Sequence, residues 1–273
     1  MKRLFSIVLI AVAVMLFAIN LYGLRKSLNP DAISAENLRF GAQDVSITPD
    51  QLLLETIKRA DESPQVYVSR LTQAISGGLA HIHWESYEPG RFNQRVPVWE
   101  NYLLYAMGLW SGIPEYQRYH FSSPEKSIER GIGICGDASM LMSQLLDRNQ
   151  IANKIITVPG HVMVEVDYGD RKQLLDPDFG IVLQHDLAFY QANPKILEQE
   201  YNQAGYTANG EDVVVNGMSA KAGYWNGVRH FITKKYYFEK ISYWAIWLIP
   251  VFLMLSGVFL LRRNSANFSS GDC

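Results

Sequence analysis

The sequence predicts an α+β fold in which a domain of helices followed by strands is held between two membrane-spanning helices. Three observations predict it. Apolar runs of about 20 residues stand near both ends of the chain, the length that crosses a bilayer core. Segments with a helical apolar period fill the first half of the region between them. Three short alternating runs, separated by turn residues, follow in the second half.

The first apolar run is Leu4–Leu24, preceded by Lys2 and Arg3. Its length, and the lack of a small-x-small site after it, favour an uncleaved anchor over a signal peptide. The second is Ile241–Leu261, with Pro250 inside it and Arg262 and Arg263 after it. Both short tails are basic, so the positive-inside rule puts both termini in the cytoplasm. The expected organisation is an anchor over 1–26, an extracytoplasmic domain over 27–222, a juxtamembrane segment over 223–240, a second span over 241–261 and a cytoplasmic tail over 262–273. In a bacterium this places the domain in the periplasm, on the inner membrane. The juxtamembrane segment mixes Trp225, Phe231, Tyr236, Tyr237 and Phe238 with Arg229, Lys234 and Lys235. It reads as a helix at headgroup level running into the span.

Composition excludes several classes. At 273 residues, 48% hydrophobic and 12% aromatic, the chain is not disordered. Its 25 Lys+Arg against 27 Asp+Glu offer no basic footprint for nucleic acid. Two cysteines are too few for a disulfide scaffold or a multi-cysteine metal site.

Between the spans, Pro49-Asp50 and Ser63-Pro64 open two helices, the second ended by Gly77-Gly78. Residues 85–97 read as loop, and Val98–Trp110 as a helix striped by Tyr102, Tyr105, Ala106 and Leu109, stopped by Ser111-Gly112 and Pro114. From Gly136, the residues Ala138, Leu141, Met142, Leu145 and Leu146 recur with amphipathic helical spacing. Strands are predicted over Lys154–Val158, His161–Asp167 and Lys172–Leu175. In the second, Val162, Val164 and Val166 share one face and His161, Met163 and Glu165 the other. Asn193-Pro194 starts a further helix that stops at Gly205.

The candidate chemistry sits at the edges of these elements. Cys135 stands at a helix start, where free backbone N–H groups and the helix dipole favour a thiolate and could hold an oxyanion. His161 begins a strand, and Asp176 ends the next. Paired strands would put the imidazole beside the carboxylate, and a helix packed on them would bring up Cys135. That is the order of nucleophile, base and orienting group. Taken singly, each has a plainer reading: a small buried cysteine, a structural histidine and a turn aspartate before proline.

The segments Gly133-Ile-Cys-Gly-Asp-Ala-Ser139, Gly160-His-Val-Met-Val-Glu-Val166 and Leu174-Leu-Asp-Pro-Asp178 resemble the transglutaminase-like cysteine enzyme superfamily. The resemblance covers about residues 98–185. It implies a papain-like/transglutaminase-like core, with Cys135 as nucleophile, His161 as base and Asp176 as orienter. It also implies protease, amidase or acyltransferase chemistry with no cofactor or metal. The His-to-Asp separation suits the family and the Cys-to-His separation is short for it. Val162 and Met163 stand where the family has Ala and Trp, which bears on the substrate groove more than on the triad. The partners this implies are the membrane and a peptide, protein or amide substrate; envelope polysaccharide machinery is a further class compatible with the placement. Readings from other classes are an idle binding module for envelope peptide or polysaccharide, and a structural membrane subunit.

Other patterns in the sequence have plainer readings. Gly131-Ile-Gly133-Ile-Cys-Gly136 fits a dinucleotide-binding pattern but lacks the preceding strand and the later acidic residue. His81-x-His83-x-Glu85 could place three ligands on one strand face, with a wet loop as the plainer reading. Glu100, Arg118 and Arg130 read as surface ion pairs before groove residues. For the oxyanion, Gln117, Tyr119 and the Cys135 backbone N–H stay open.

Overall fold

The computed structural model describes residues 2–31, 33–83 and 88–269; the side chains of Lys2 and of 264–269 are outside that description. The chain is α+β. Its helices are α1 (Lys2–Gly23), α2 (Pro49–Glu55), α3 (Pro64–Gly78), α4 (Tyr102–Trp110), α5 (Pro114–Gln117), α6 (Pro124–Arg130) and α7 (Cys135–Arg148). Strands β1 (Asn153–Val158), β2 (His161–Asp167), β3 (Lys172–Asp176) and β4 (Ile181–Val182) follow. Then come α8 (Leu187–Ala192), α9 (Pro194–Gln203), α10 (Glu211–Gly217), β5 (Gly223–Trp225), α11 (Gly227–Phe231) and α12 (Thr233–Ser269). The chain divides into two compact units. One holds residues 1–27, 94–119 and 237–273, and the other holds 28–93 and 120–236.

The second unit is built on one antiparallel sheet in the order β4-β3-β2-β1-β5. The predicted strands β1 to β3 form within one residue of their expected limits. Pro159-Gly160 makes the tight turn between β1 and β2. Gly160 has φ +81°, a region that disfavours side chains, and a Cβ there would meet Val213 at 2.5 Å. Helices α3 and α7 cover one face, where Val164, Val166 and Leu175 meet Leu71, Ile75, Leu141 and Leu145. Helices α8, α9 and α10 cover the other, where Ile156, Met163 and Leu174 meet Leu187, Leu197, Tyr201 and Val214. Each fully buried aliphatic side chain contributes roughly 1.5–3 kcal/mol of transfer free energy.

Local signals explain the helix starts. Thr48 and Gln51 cap α2 reciprocally, Ser63 caps α3 by accepting from the Val66 N–H, and Asp186 caps α8 by accepting from the Phe189 N–H. The start of segment 223–240 differs from the expected juxtamembrane helix. Gly223–Trp225 is the fifth strand, paired with β1, and Trp225 Nε1 donates to Thr157 Oγ1 at 3.2 Å. Its aromatic rings there serve the sheet edge rather than a headgroup layer.

Two helices are long and apolar enough to cross a membrane, Arg3–Gly23 and Thr233–Arg263, with mean hydropathies of 2.8 and 2.3; the first, and the second from Tyr237 on, belong to the first unit. Most of their apolar side chains face outward; Trp244, Phe252 and Phe259 are examples. Pro250 inside α12 has no N–H to give the Ile246 carbonyl one turn back. That carbonyl instead accepts from Asn20 Nδ2 of α1 at 2.7 Å and from the Tyr102 hydroxyl of α4 at 3.0 Å. An apolar surrounding would make an orphaned carbonyl cost several kcal/mol, so this replacement joins three helices at one point.

Candidate active site

Cys135, His161 and Asp176 come together in the second unit. Cys135 is the first residue of α7, where its backbone N–H has no partner within the helix. His161 is the first residue of β2. Val164 pairs with Leu175, so the alternation carries His161 and Asp176 to the same face of neighbouring strands. His161 Nε2 lies 2.7 Å from Asp176 Oδ2. Cys135 is close enough to act electrostatically on the same ring. Ser139, one turn into α7, donates to the Val162 carbonyl at 2.9 Å and ties the cysteine helix to the histidine strand.

Asp176 is fully buried and well supplied with donors. Its Oδ1 accepts from the backbone N–H groups of Asp178 and Phe179 at 3.1 and 3.3 Å, and its Oδ2 accepts from the Tyr201 hydroxyl as well as from His161. The Pro177 turn creates the first two contacts; Tyr201 arrives from α9. Burial favours the neutral carboxyl, but His161 and these donors outweigh it and hold Asp176 below the ordinary carboxylate range. Burial also opposes a charged His161. The Asp176 and Cys135 charges overcome that and raise His161 well above its ordinary value. The charged form of the His161 ring is therefore favoured between Asp176 and Cys135. The Phe179 ring, 5.8 Å from the imidazole, and Tyr201, 5.1 Å from Phe179, wall the pair off from water on that side.

The raised His161 value has a checkable sign. The charging of His161 contributes stability that is fully present below about pH 6.5 and is lost as pH rises through the raised value. The same value sets the alkaline limit of any reaction that needs the imidazolium. In Asp176→Asn, burial is no longer offset by the carboxylate, so the alkaline limb of a thiol-reactivity profile should move to lower pH. An unmoved limb would mean that Asp176 does not control the ring.

A second buried network holds the start of α7. Asp137 Oδ1 accepts from Arg130 Nη2 at 2.8 Å, and Asp137 Oδ2 accepts from the Ile134 N–H at 3.1 Å and lies 2.8 Å from His120 Nδ1. Arg130 and Asp137 side chains are both wholly inaccessible. Burial opposes the Asp137 charge, yet His120 and Arg130 prevail and lower it below the ordinary range. Arg130 is thus a buried partner of the start of α7, not the surface ion pair its sequence context suggested. The reason is non-local. Gly131 caps α6 in the left-handed conformation at φ +63°, and the reversal turns Arg130 inward toward the first turn of α7.

Of the oxyanion candidates, the Tyr119 hydroxyl donates to Glu239 at 2.9 Å and Gln117 is exposed, whereas the Cys135 N–H stands at the thiol itself. The expected His81, His83 and Glu85 face does not assemble. His81 is buried with Nδ1 2.9 Å from Asp44 Oδ1, His83 is exposed, and Glu85 lies outside the described residues, as does Cys273. Among the described residues, His161, Asp176 and Asp178 bring ligand atoms within 4.8 Å of one another. Two of those atoms already satisfy each other, and Asp178 is paired with Arg39 at 2.7 Å. Tyr201, His120 and Asp137 were missed as site residues. Only Asp137 carried a signal, an acidic residue in the first turn of a helix.

Beyond Phe179 lies a cleft of about 540 Å³ lined by Arg39, Phe40, Gln73, Tyr206 and Asn209 among others; Cys135, His161 and Asp176 are not in its lining. Arg39 stacks on Phe40 and Phe179, with its guanidinium carbon 4.4 and 4.7 Å from the ring centres. Set against family models, curated proteins and solved structures, the chain matches none of them.

Proposed function

We propose that the protein is a membrane-anchored cysteine enzyme of transglutaminase-like type that cleaves or transfers an amide-linked acyl group on the extracytoplasmic side of the membrane. The observation that carries this reading is the single imidazole shared by a thiol at a helix start and a buried carboxylate, 2.7 Å from the ring. The papain-like core of the resemblance is compatible with α7 packed on the antiparallel sheet, and the two long apolar helices with basic residues beyond them favour cytoplasmic termini.

In this mechanism the Cys135 thiolate attacks the amide carbonyl carbon, forming a C–S bond and an oxyanion held by the Cys135 N–H. The oxyanion collapses, the C–N bond breaks, and His161 gives its proton to the leaving amine. The thioester is then attacked by water or by a second amine, whose proton passes to His161 as the thiolate leaves. Asp176 keeps the ring oriented and its charge compensated throughout.

An electrophilic amide probe offered to the full-length protein should label Cys135 near neutral pH, and His161→Ala should slow labelling at least about 100-fold, the usual worth of a positioned acid–base group. Equal labelling of both proteins would remove the histidine from the reaction. The cleft beside Phe179 favours a second reading, a binding module whose triad is idle. That reading expects a Cys135 that resists the probe entirely.

A further inference from the structure

Helix α4 was expected to belong to the water-facing domain, but residues 94–119 cluster with the two long apolar helices. No charged residue stands between Glu100 and Glu115. At the end of this stretch Trp110 is 80% exposed, Leu109 39% and Ile113 42%. Leu104 is fully buried and Gly108, one turn on along the same face, is buried too, so the helix has an inward face and an apolar outward one.

Its depth is fixed by hydrogen bonds. Asn101 Nδ2 donates to Ser242 Oγ at 2.9 Å, and the Tyr102 hydroxyl donates to the Ile246 carbonyl. Ile246 lies five residues inside the apolar run that starts at Ile241, about 7 Å at the helical rise. On α1 the same carbonyl is reached by Asn20, three residues before the helix ends at Gly23. Gly23 is itself contacted so closely by the Trp99 backbone that a Cβ has no room there. The start of α4 is therefore held at the last turn of α1 and at the beginning of the apolar run of α12. At nine residues, about 13 Å, it is too short to cross a bilayer.

We propose that α4 lies in the boundary between lipid headgroups and acyl chains, with Leu109, Trp110 and Ile113 inserted, as a third membrane contact of this chain. This rests on the reading that the two long helices span a membrane. The chemistry fits. Tyr102, Tyr105 and Trp110 combine an apolar body with a polar tip, which suits the interface, and an interfacial helix buries its apolar face about 5–10 Å. In water this face would be an exposed apolar patch in the same unit as the two long helices.

The test uses the full-length chain, with Cys135→Ser and Cys273→Ser, in lipid nanodiscs. Single spin labels are placed by Leu109→Cys, Ile113→Cys, Phe252→Cys and Asp170→Cys. Their collision with oxygen, which partitions into lipid, is compared with that of a water-soluble nickel chelate. Labels at 109 and 113 should report a shallow lipid depth, between Phe252 deep in the span and Asp170 in water. Labels at 109 and 113 that match Asp170 while Phe252 stays in lipid would overturn the proposal and leave the spans intact. A Phe252 label in water would overturn the membrane reading itself. Labels at 109 and 113 shielded from both reagents would assign the face to a second copy of the chain and also reject the lipid contact.

Discussion

Cys135→Ala is expected to lose essentially all thiol-dependent turnover, a fall of at least about 10⁴-fold, because no other group at the site can form the thioester. Asp176→Asn should lose less. It keeps a hydrogen-bonding side chain against His161 and Tyr201 but gives up the charge that supports the imidazolium. Triad members act as a unit, so Cys135→Ala/Asp176→Asn should be little slower than Cys135→Ala alone. Additive losses would show that Asp176 works outside the thiol pathway. The fold should tolerate the cysteine change within about 1 kcal/mol, since Cys135 is only part-buried and the lost volume is small. Turnover of the wild type and these variants, measured with their melting temperatures, separates the outcomes. A large drop in melting temperature with activity retained would make Cys135 a packing residue.

Arg130→Met is expected to give the largest stability loss. It leaves the Asp137 carboxylate fully buried without its guanidinium partner. Breaking a buried pair in this way costs about 3–5 kcal/mol, whereas removing both charges is often close to neutral. Arg130→Met/Asp137→Asn should therefore recover much of the loss, since asparagine can still accept from the Ile134 N–H. In a unit of this size the single variant should melt roughly 10 °C lower. The pH dependence has a definite sign. Asp137 is held below the ordinary carboxylate range, so its pairing stabilises the fold above about pH 4 and is lost as pH falls through the lowered value. In the variant that contribution is already missing at neutral pH, so its melting temperature should fall less on acidification than that of the wild type. Thermal scans in detergent across pH check both; an unshifted melt would place the Arg130 charge outside the balance.

What the sequence determined by itself was local. The alternation in His161–Asp167 reports a strand whether or not its partners are known, because successive side chains point to opposite faces. The spacing of Ala138, Leu141 and Leu145 reports a helix face, and Pro159-Gly160 a turn. Cys135, His161 and Asp176 were legible because each stands at an element boundary that such signals mark. Tertiary structure decided what depends on residues far apart in the chain. Tyr201 reaches Asp176 across 25 positions, and Tyr102 reaches Ile246 across 144. Arg130 looks like any charged residue at a helix end until Gly131 turns it toward Asp137. An uncharged stretch such as Tyr102–Ile113 reads alike whether it faces a protein core or a lipid boundary, because period and composition record that a face is apolar and not what covers it. Only the contacts of the start of α4 with α1 and α12 show which side of the helix is left uncovered.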